Sequence, residues 1–398
     1  LILGESETVL RLVPAVLGIL TIPVFYFIGL EILDRNTGLL AAGLLAFSPF
    51  HIFYSQEARA YAPMLFFYAI AFLFFLRLLR SWGRRDALLF GIFSALAFWT
   101  HFYAFVPILT LFVFAVAVRA RGILRDIRSG IPLAAAILAF IILSAPLIYY
   151  AIQLFVARTG GPPSFGIQGI DTITLTITQV SGFSAILAWV FAALFIVGVA
   201  WLFPRDRTRA CLLAFSLAFP LVLSVILSYR MPMVPRYLIY LLAAFLPGIA
   251  LALRPACSFI RTKNLVYGAL ILSLVINLPV LVPYYTTVQK DDWRGLSAQL
   301  TTAASPGDLV IVTPGYLTQP LDYYYHNGTV GTLEYGLYTI AEVEGALGAH
   351  PGHTAWIIVT GDILSTDPRG LLLAWYDQHT ESVWVDRNRG IFLLRYTG

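Results

Sequence analysis

The sequence has little charge and almost no cysteine. Only 12% of its 398 residues are Asp, Glu, Lys or Arg, against about 25% in ordinary globular domains. Hydrophobic residues make up 59%, and the mean hydropathy is +0.81. This composition excludes a cytosolic enzyme and a disordered chain, and it indicates lipid as the solvent. Cys211 and Cys257 both lie in or beside apolar runs, which excludes a disulfide-stapled secreted module.

Apolar runs separated by short polar loops fill residues 1–284. A membrane helix needs about 20 apolar residues, and ten runs approach that length. They are 12–30, 38–53, 61–79, 87–102, 103–118, 131–150, 184–203, 210–228, 237–253 and 265–284. The second run is short, and the fourth and fifth meet so closely at His101–Ala104 that one broken pair is an alternative.

Residues 285–398 lack such runs and alternate short apolar strands with helical stretches. The predicted strands are Leu309–Thr313, Ala355–Thr360, Ser382–Val385 and Ile391–Arg395. The predicted helices are Asp292–Ala304, Pro320–His326, Ile340–Ala349 and Leu371–Gln378. This alternation is typical of a small α/β domain.

Cationic side chains collect in one set of alternating loops. These loops hold 15 of the 20 Lys and Arg in residues 1–284, a range with 9 Asp and Glu. The positive-inside rule makes their side cytoplasmic and the C-terminal part extracytoplasmic. We therefore predict a polytopic α-helical membrane protein of the plasma membrane. About ten transmembrane helices in residues 1–284 precede a small extracytoplasmic α/β domain in residues 285–398.

Chemically useful side chains concentrate in a few segments on the outer side, where polar residues are costly and so are functional candidates. The segment Tyr54–Tyr61 carries Glu57 and Arg59 among aromatic rings. A Glu57–Arg59 ion pair that closes a short loop is one interpretation. A turn, however, needs only Gly or Asn, so this segment holds more chemistry than a turn requires.

Two further segments hold a histidine and two arginines. His101, with Tyr103 nearby, ends a predicted helix and is a structural histidine, a metal ligand or a hydrogen-bond partner for substrate. Arg230 and Arg236, the latter followed by Tyr237, flank a loop broken by proline. Arginines that snorkel are ordinary at an interface, but a guanidinium fork is also the natural partner of a phosphate.

This combination fits transfer of a group from a lipid-linked phosphate. The leaving phosphate is already an anion and needs charge stabilisation, and the acceptor hydroxyl needs a carboxylate base.

Several short motifs resemble those of a known family. They are Gly4–Glu7, Leu10–Leu12, Ser48–His51, Tyr54–Arg59 with Tyr61, Thr100–His101 with Tyr103, Pro235–Tyr237 and Asp292–Arg294. At these motifs the sequence resembles the membrane glycosyltransferases of the dolichyl-phosphate-mannose-protein mannosyltransferase type, glycosyltransferase family 39 with the GT-C fold. The group includes relatives of the aminoarabinose lipid A transferases.

The resemblance implies a polyprenyl-phosphate-sugar donor, a site at the outer membrane face and inversion at the anomeric carbon. In the family the main catalytic acidic residue follows the first membrane helix, and the resemblance places that position upstream of Leu1. The region 1–284 would then lack its first helix and first external loop, which would make the chain a truncated, inactive fragment. Glu57 matches the family's second acidic position and is expected to orient the acceptor or to hold a metal.

The resemblance also implies a set of substrate-binding residues and partners. The expected substrate-binding residues are Arg59, Tyr61, His101, Tyr103, Arg230, Arg236 and Tyr237, with Arg59 and Arg236 at the donor phosphate. No cofactor is certain, and a divalent metal at Glu57 and His101 stays open. The expected partners are the lipid-linked sugar (mannose or a similar hexose or pentose), an acceptor in a protein, lipid or glycan, and the bilayer.

Other classes of function fit less well. A nucleic-acid partner is not expected, because the basic residues sit in short loops rather than on one face. A transporter or flippase of lipid-linked sugars stays an alternative, although internal repeats and mid-span charges, typical of transporters, are not found. A scaffold that presents the external domain would leave the segment Tyr54–Tyr61 unexplained.

Overall fold

The computed structural model describes two compact units of one chain, Leu1–Val282 and Pro283–Gly398. The described residues are 6–159, 163, 166–254, 262–287, 291–325, 331–361, 363–367, 369–386 and 390–397. Gly4 and Glu5 of the first motif, Cys257, and His326 of a predicted helix lie outside them.

The first unit is a bundle of helices joined by short turns. Its helices are α1 (Glu7–Ile32), α2 (Arg35–Ala46), α3 (Pro49–Ser55), α4 (Tyr61–Ser81), α5 (Arg84–Thr100), α6 (Phe105–Arg125), α7 (Ile131–Arg158), α8 (Asp171–Val180), α9 (Ala185–Leu202), α10 (Arg207–Leu227), α11 (Leu242–Leu251) and α12 (Thr262–Thr286). Stretches of 3₁₀ helix occur at Phe102–Ala104, Ile127–Gly130 and Pro235–Leu241.

The chain is a multi-pass membrane protein. In the described part of the chain, 7 helices are long and apolar enough to cross a membrane, and α2 with α3 makes an eighth if that bent pair counts as one span. The seven are Glu7–Ile32, Tyr61–Ser81, Phe102–Arg125, Ile127–Val156, Ala185–Leu202, Arg207–Leu227 and Asn264–Thr286. The predicted helical membrane architecture is confirmed, but the predicted number of about ten spans is not.

Local sequence explains where the predicted spans differ. The run 38–53 bends by 61° between α2 and α3, because Ser48 caps a new helix by accepting from the His51 amide at 3.4 Å, and Pro49 takes its first position. The run 237–253 begins as 3₁₀ helix, and Leu238 within it has non-helical dihedrals (φ −101°, ψ 16°). Both breaks shorten the helices that follow.

Glycines allow two helices of the bundle to touch backbone to backbone. A Cβ atom added at Gly198 of α9 would lie 2.0 Å from the carbonyl oxygen of Gly248 in α11. Small residues at helix contacts are a usual means of packing in membranes, where there is little hydrophobic driving force between helices. The contact fixes α11, which directly continues the 3₁₀ stretch Pro235–Leu241.

The second unit is a five-stranded mixed sheet covered by helices. Its strands are β1 (Leu309–Thr313), β2 (Leu333–Gly336), β3 (Ala355–Thr360), β4 (Thr380–Asp386) and β5 (Ile391–Tyr396), and its helices are α13 (Trp293–Ala303), α14 (Thr318–Tyr324), α15 (Ile340–Ala349), α16 (Ile363–Thr366) and α17 (Leu371–His379). The strand order is β2-β1-β3-β5-β4, with β1 parallel to β2 and β3, and β5 antiparallel to β3 and β4. The predicted α/β fold is confirmed, while β2 was not predicted.

Two hydrophobic layers hold this sheet. On one face, Val310 and Val312 pack with residues of α13 and α14 such as Leu296 and Leu321. On the other face, Ile311 packs with residues of α15 and α17. The alternation along β1 follows from the period of two in a strand.

A pair of carboxyl groups lies at the edge strand of this sheet. Glu334 on β2 is hydrogen-bonded to Asp322 of α14. Burial first, and then the hydrogen bond and charge of Asp322, raise the pKa of Glu334 to about 7 from its ordinary 4.5. The folded state therefore holds this proton more tightly than the unfolded chain does.

Replacing Gly198 by alanine should destabilise the first unit by about 1–3 kcal/mol, as overpacking does. The new methyl group meets the backbone of Gly248, and backbone cannot move aside as a side chain can. The matched control is Gly268→Ala on α12, where a Cβ meets no atom within 4 Å. Thermal unfolding of the purified protein in detergent measures both. Equal melting temperatures for the two variants would contradict the packing account.

Replacing Glu334 by glutamine should change the pH dependence of stability in the second unit. As pH rises from about 4.5 to 7, the unfolded chain releases this proton before the folded state does, so the contribution of Glu334 to stability is lost over that window. Hydrogen exchange of β1 and β2 amides in the full chain, compared at equal pH, measures the effect. The wild type should exchange increasingly faster than Glu334→Gln as pH rises; a ratio that is constant with pH would refute the assignment.

Candidate functional site

Arg236 enters the site from the start of a 3₁₀ helix. Val234 is extended (φ −138°, ψ 148°), and Pro235 takes the first helical position of Pro235–Leu241. Proline suits that position because its φ is already helical and its missing N–H is not needed there. The Tyr237 amide donates to the Val234 carbonyl at 3.0 Å, which closes the turn around Arg236.

Glu57 lies on the short connection between α3 and α4. The Gln56 amide donates to the Phe53 carbonyl at 3.2 Å, and the Arg59 amide donates to the Glu57 carbonyl at 2.7 Å. These bonds make a tight connection that ends at Tyr61, the first residue of α4. Tyr61 is buried, whereas the side chain of Arg59 is exposed.

His101 and Tyr103 mark the break between α5 and α6. His101 leaves helical geometry (φ −158°, ψ 123°), and its Nδ1 accepts from the Tyr103 amide at 3.3 Å. The hydroxyl of Tyr103 donates to the carbonyl oxygen of Pro232. This second bond ties the α5–α6 break to the loop that precedes Arg236.

Five aromatic side chains from these segments form one group, which we name the aromatic cluster: Tyr54, Tyr61, His101, Tyr103 and Tyr237. Tyr103 stacks on Tyr237 with ring centroids 4.6 Å apart, and His101 lies 5.1 Å from Tyr237. Tyr61 lies 5.6 Å from His101 and 5.3 Å from Tyr54. These separations are the usual range for favourable aromatic pairs, so the segments are fixed together by their rings.

The guanidinium group of Arg236 lies against this cluster. Its Cζ is 6.0 Å from the ring centroid of Tyr61 and 5.9 Å from that of Tyr237, at the outer limit of cation–π contact. It is hydrogen-bonded to the side chains of Tyr54 and Tyr237, and Glu57 is close enough to interact with it electrostatically. Phenol oxygens and one carboxylate therefore surround the cation.

Two polar atoms of this site are buried and have no hydrogen-bond partner among the residues that the structure describes. They are Nε of Arg236 and Oε2 of Glu57. A buried donor or acceptor atom without a hydrogen bond costs about 1–3 kcal/mol, and more where it belongs to a charged group, and native structures keep few such atoms. A donor and an acceptor that face no protein partner indicate a place for a polar ligand.

An apolar cavity of about 430 Å³ adjoins the aromatic cluster. It shares Tyr103 with the cluster and is lined in addition by Phe98, Phe102, Phe105, Val106, Phe140, Ile148, Ala151, Ile152, Leu154, Phe155, Leu227 and Met231. These residues come from α5, α6, α7 and α10 and the segments beside them. The lining is hydrophobic and aromatic, so the cavity fits an alkyl or prenyl chain rather than a sugar.

The segment 166–169, which lies between α7 and α8 and which we name the glycine bridge, holds the loop that precedes Arg236. The Ile167 amide donates to the Met233 carbonyl at 2.8 Å, and the Gly169 amide donates to Oγ of Ser228 at 2.9 Å. Gly166 has φ +101°, and a Cβ there would lie 2.7 Å from both the nitrogen and the oxygen of Met233. Glycine is therefore required for this close approach.

The structure brings most of the predicted site residues together. The residues that meet are Glu57, Tyr61, His101, Tyr103, Arg236 and Tyr237. Arg59 is exposed, although its charge acts on Tyr237. Arg230 is exposed after α10, and none of the cluster contacts above involves it.

Sequence reasoning missed one member of the cluster and the whole cavity. Tyr54 opens the most specific motif, Tyr54–Arg59, and membership of that motif was the signal that could have found it. The cavity residues are ordinary apolar residues of predicted helices, and no sequence pattern distinguishes them. The glycine bridge was likewise not predicted.

A metal at Glu57 and His101 has little support from the side chains around them. Among the described residues, no group of three or more His, Cys, Asp and Glu side chains is placed to hold a metal ion. Mg²⁺ usually takes only one or two protein carboxylates and completes its shell with water and substrate phosphates. Metal dependence therefore stays a prediction of the sequence.

Comparison with known proteins identifies the type of membrane protein that the chain resembles. Residues 1–150 match the family model described as dolichyl-phosphate-mannose-protein mannosyltransferase, which confirms the predicted resemblance over that range. A search of curated proteins finds no match.

Solved structures share the fold across nearly the whole chain. ArnT from Cupriavidus metallidurans in the apo state superposes with a TM-score of 0.61 at 12% identity, over 97% of this chain and 83% of that chain. The same protein bound to undecaprenyl phosphate gives 0.58 at 12% identity, over 98% and 84%. The archaeal oligosaccharyltransferase AglB from Archaeoglobus fulgidus, in complex with an inhibitory peptide and a dolichol-phosphate, gives 0.56 at 14% identity, over 99% and 64%. At such identities the likeness shows a common fold.

Replacing Gly166 by alanine should release the loop before Arg236. The Cβ clashes with the Met233 backbone, and the positive φ adds strain. Amides in 166–170 and 229–237 should exchange hydrogen at least about tenfold faster, which corresponds to about 1.4 kcal/mol. Gly352→Ala is the matched control, since Gly352 has φ +85° but no atom within 4 Å of an added Cβ. Unchanged exchange in Gly166→Ala would mean that the bridge does not hold the loop.

Proposed function

We propose that the chain is a membrane glycosyltransferase. It transfers a sugar, mannose or a similar hexose or pentose, from a polyprenyl-phosphate donor to an acceptor hydroxyl, with inversion. The observation that carries this proposal is the half-buried guanidinium of Arg236 beside an apolar cavity, with a buried Nε that finds no hydrogen-bond partner among the described residues. An amphiphile with an anionic head and an apolar chain matches both features at once.

Arg236 binds the donor phosphate in this proposal. A guanidinium donates charge-assisted hydrogen bonds in a planar fork that matches phosphate oxygens. The hydroxyls of Tyr54 and Tyr237 hold the guanidinium in place, so little side-chain entropy is lost on binding. Arg59 at the exposed edge adds positive charge for the approach of the anion.

The apolar cavity takes the first part of the prenyl chain. A chain that moves from bilayer to cavity leaves one apolar medium for another, so the hydrophobic effect contributes little. Contact and shape then decide which chains fit, through many small dispersion terms. The neighbours support this assignment, since ArnT was solved with undecaprenyl phosphate and AglB with a dolichol-phosphate.

The chemistry is a single displacement at the anomeric carbon. The acceptor oxygen forms a bond to that carbon, and the bond from the carbon to the phosphate oxygen breaks. The polyprenyl phosphate leaves with the electron pair, and Arg236 stabilises the charge that develops on it. The proton of the acceptor hydroxyl goes to a carboxylate base. We assign Glu57, whose Oε2 is buried at the site, to orienting the acceptor hydroxyl.

The reaction is proposed to take place at the outer face of the plasma membrane. The arginine-rich loops argue for that orientation through the positive-inside rule, and it makes the C-terminal α/β unit extracytoplasmic. The acceptor (protein, lipid or glycan) would then be an envelope component. A flippase of lipid-linked sugars is the competing function that the same experiment separates.

Binding and transfer should respond differently to two substitutions. Arg236→Gln should weaken polyprenyl-phosphate binding at least about tenfold, the loss expected for a charge-assisted bond of about 1.5 kcal/mol or more. Glu57→Gln should leave binding within about threefold and lower the rate of sugar transfer about 100-fold, the loss expected when an acceptor is no longer held in position. Membranes that contain the full-length protein, supplied with a radiolabelled lipid-linked sugar, measure transfer; binding is measured on purified protein.

The control for this pair is Arg121→Gln. It removes an exposed arginine in the last turns of α6, away from the aromatic cluster and the cavity. Binding that survives Arg236→Gln unchanged would remove Arg236 from the donor site. Movement of the labelled lipid across the bilayer without loss of its sugar would favour the flippase.

A further inference from the structure

Tyr103 contacts the apolar cavity and the Arg236 loop at the same time. Its ring lines the cavity and stacks on Tyr237 with centroids 4.6 Å apart. Its hydroxyl donates to the carbonyl oxygen of Pro232. The side chain is buried, with 3% of its surface exposed, so it has little freedom to make one of these contacts without the others.

The loop that carries Arg236 also forms part of the cavity wall. Leu227, at the end of α10, and Met231 line the cavity. Pro232 and Met233 follow, and each has a carbonyl oxygen held by a bond from another segment. Arg236 stands three residues further on. A prenyl chain that fills the cavity therefore touches the same loop that positions the Arg236 guanidinium.

We propose that Tyr103 is a positioning residue that couples recognition of the lipid tail to recognition of the phosphate. The inference rests on the proposed donor. A prenyl chain in the cavity packs against the ring of Tyr103 and against Met231, and restrains both. Through the bond to Pro232 and the stacking on Tyr237, this restraint fixes the loop with Arg236 in its phosphate-binding position.

This coupling has a selective consequence. The site would bind a phosphate with a long prenyl chain more tightly than the separate contacts of head and tail predict. Sugar phosphates without a tail would meet a less ordered loop and bind weakly. Coupling between two parts of a site is reciprocal and commonly amounts to about 5–150-fold in affinity.

A thermodynamic cycle on the purified protein in detergent tests the inference. The probes are a long-chain polyprenyl phosphate and geranyl phosphate, which has the same head and a short tail. The measured quantity is the ratio of the two dissociation constants, short over long. Tyr103→Phe keeps the ring in the cavity and removes the bond to Pro232. It should lower the ratio at least about fivefold, by weakening the long-chain probe and leaving geranyl phosphate unchanged.

A second readout and a control separate coupling from loss of structure. In the wild type, the long-chain probe should slow hydrogen exchange in 229–237, and in Tyr103→Phe it should not. Tyr68→Phe is the control, because Tyr68 is a buried tyrosine of α4 that lines neither the cavity nor the cluster. Its ratio should equal that of the wild type.

The outcomes distinguish this inference from the function on which it rests. Both probes bound, with a ratio that Tyr103→Phe leaves unchanged, would overturn the coupling and leave the proposed donor standing. A weakening of both probes by the same factor would overturn it too, since Tyr103 would then act on the head alone. No binding of either probe to the wild type would overturn both the donor and the coupling.

Discussion

A half-buried guanidinium held against aromatic rings is the constraint on which the site depends. Leaving water is costly for a cation at membrane depth, and the protein offsets this cost for Arg236 with phenol hydroxyls, ring faces and the nearby Glu57. The compensation is incomplete, because one nitrogen and one carboxylate oxygen stay unpartnered. A phosphate and an acceptor hydroxyl would supply what is missing, so the cost is recovered when substrate binds.

That arrangement is possible only because the helices are interrupted where the site forms. A continuous helix through Ser48 or His101 would carry the motif side chains around its own axis and away from one another. Breaks at α2–α3, at α5–α6 and at Pro235 turn three chain segments toward a common point. Gly198 and Gly166 then secure the third segment by backbone contacts that no larger residue permits. The packed helices form the walls of the site, and the breaks between helices place its polar side chains.

The parts of this structure that follow local rules were predictable, and those that depend on packing were not. Low charge and long apolar runs predicted membrane helices, and β-branched apolar runs predicted β1 and β3 with their observed bounds. The edge strand β2 (Leu333–Gly336) escaped because it is short and its side chains are only partly buried. The motifs predicted which residue types matter, but the meeting of Tyr54 with Arg236 and the cavity beside Tyr103 depend on where helices end in space.

The central claim is that one lipid-linked phosphate fills both the polar and the apolar part of this site. A cryo-electron microscopy structure of the protein in lipid nanodiscs with a long-chain polyprenyl phosphate tests it most directly. The account predicts phosphate density within hydrogen-bond distance of Arg236 Nε, with prenyl density in the cavity between Phe140 and Ile152. Phosphate density elsewhere, with Arg236 still packed against the aromatic cluster and no prenyl density in the cavity, would contradict this claim.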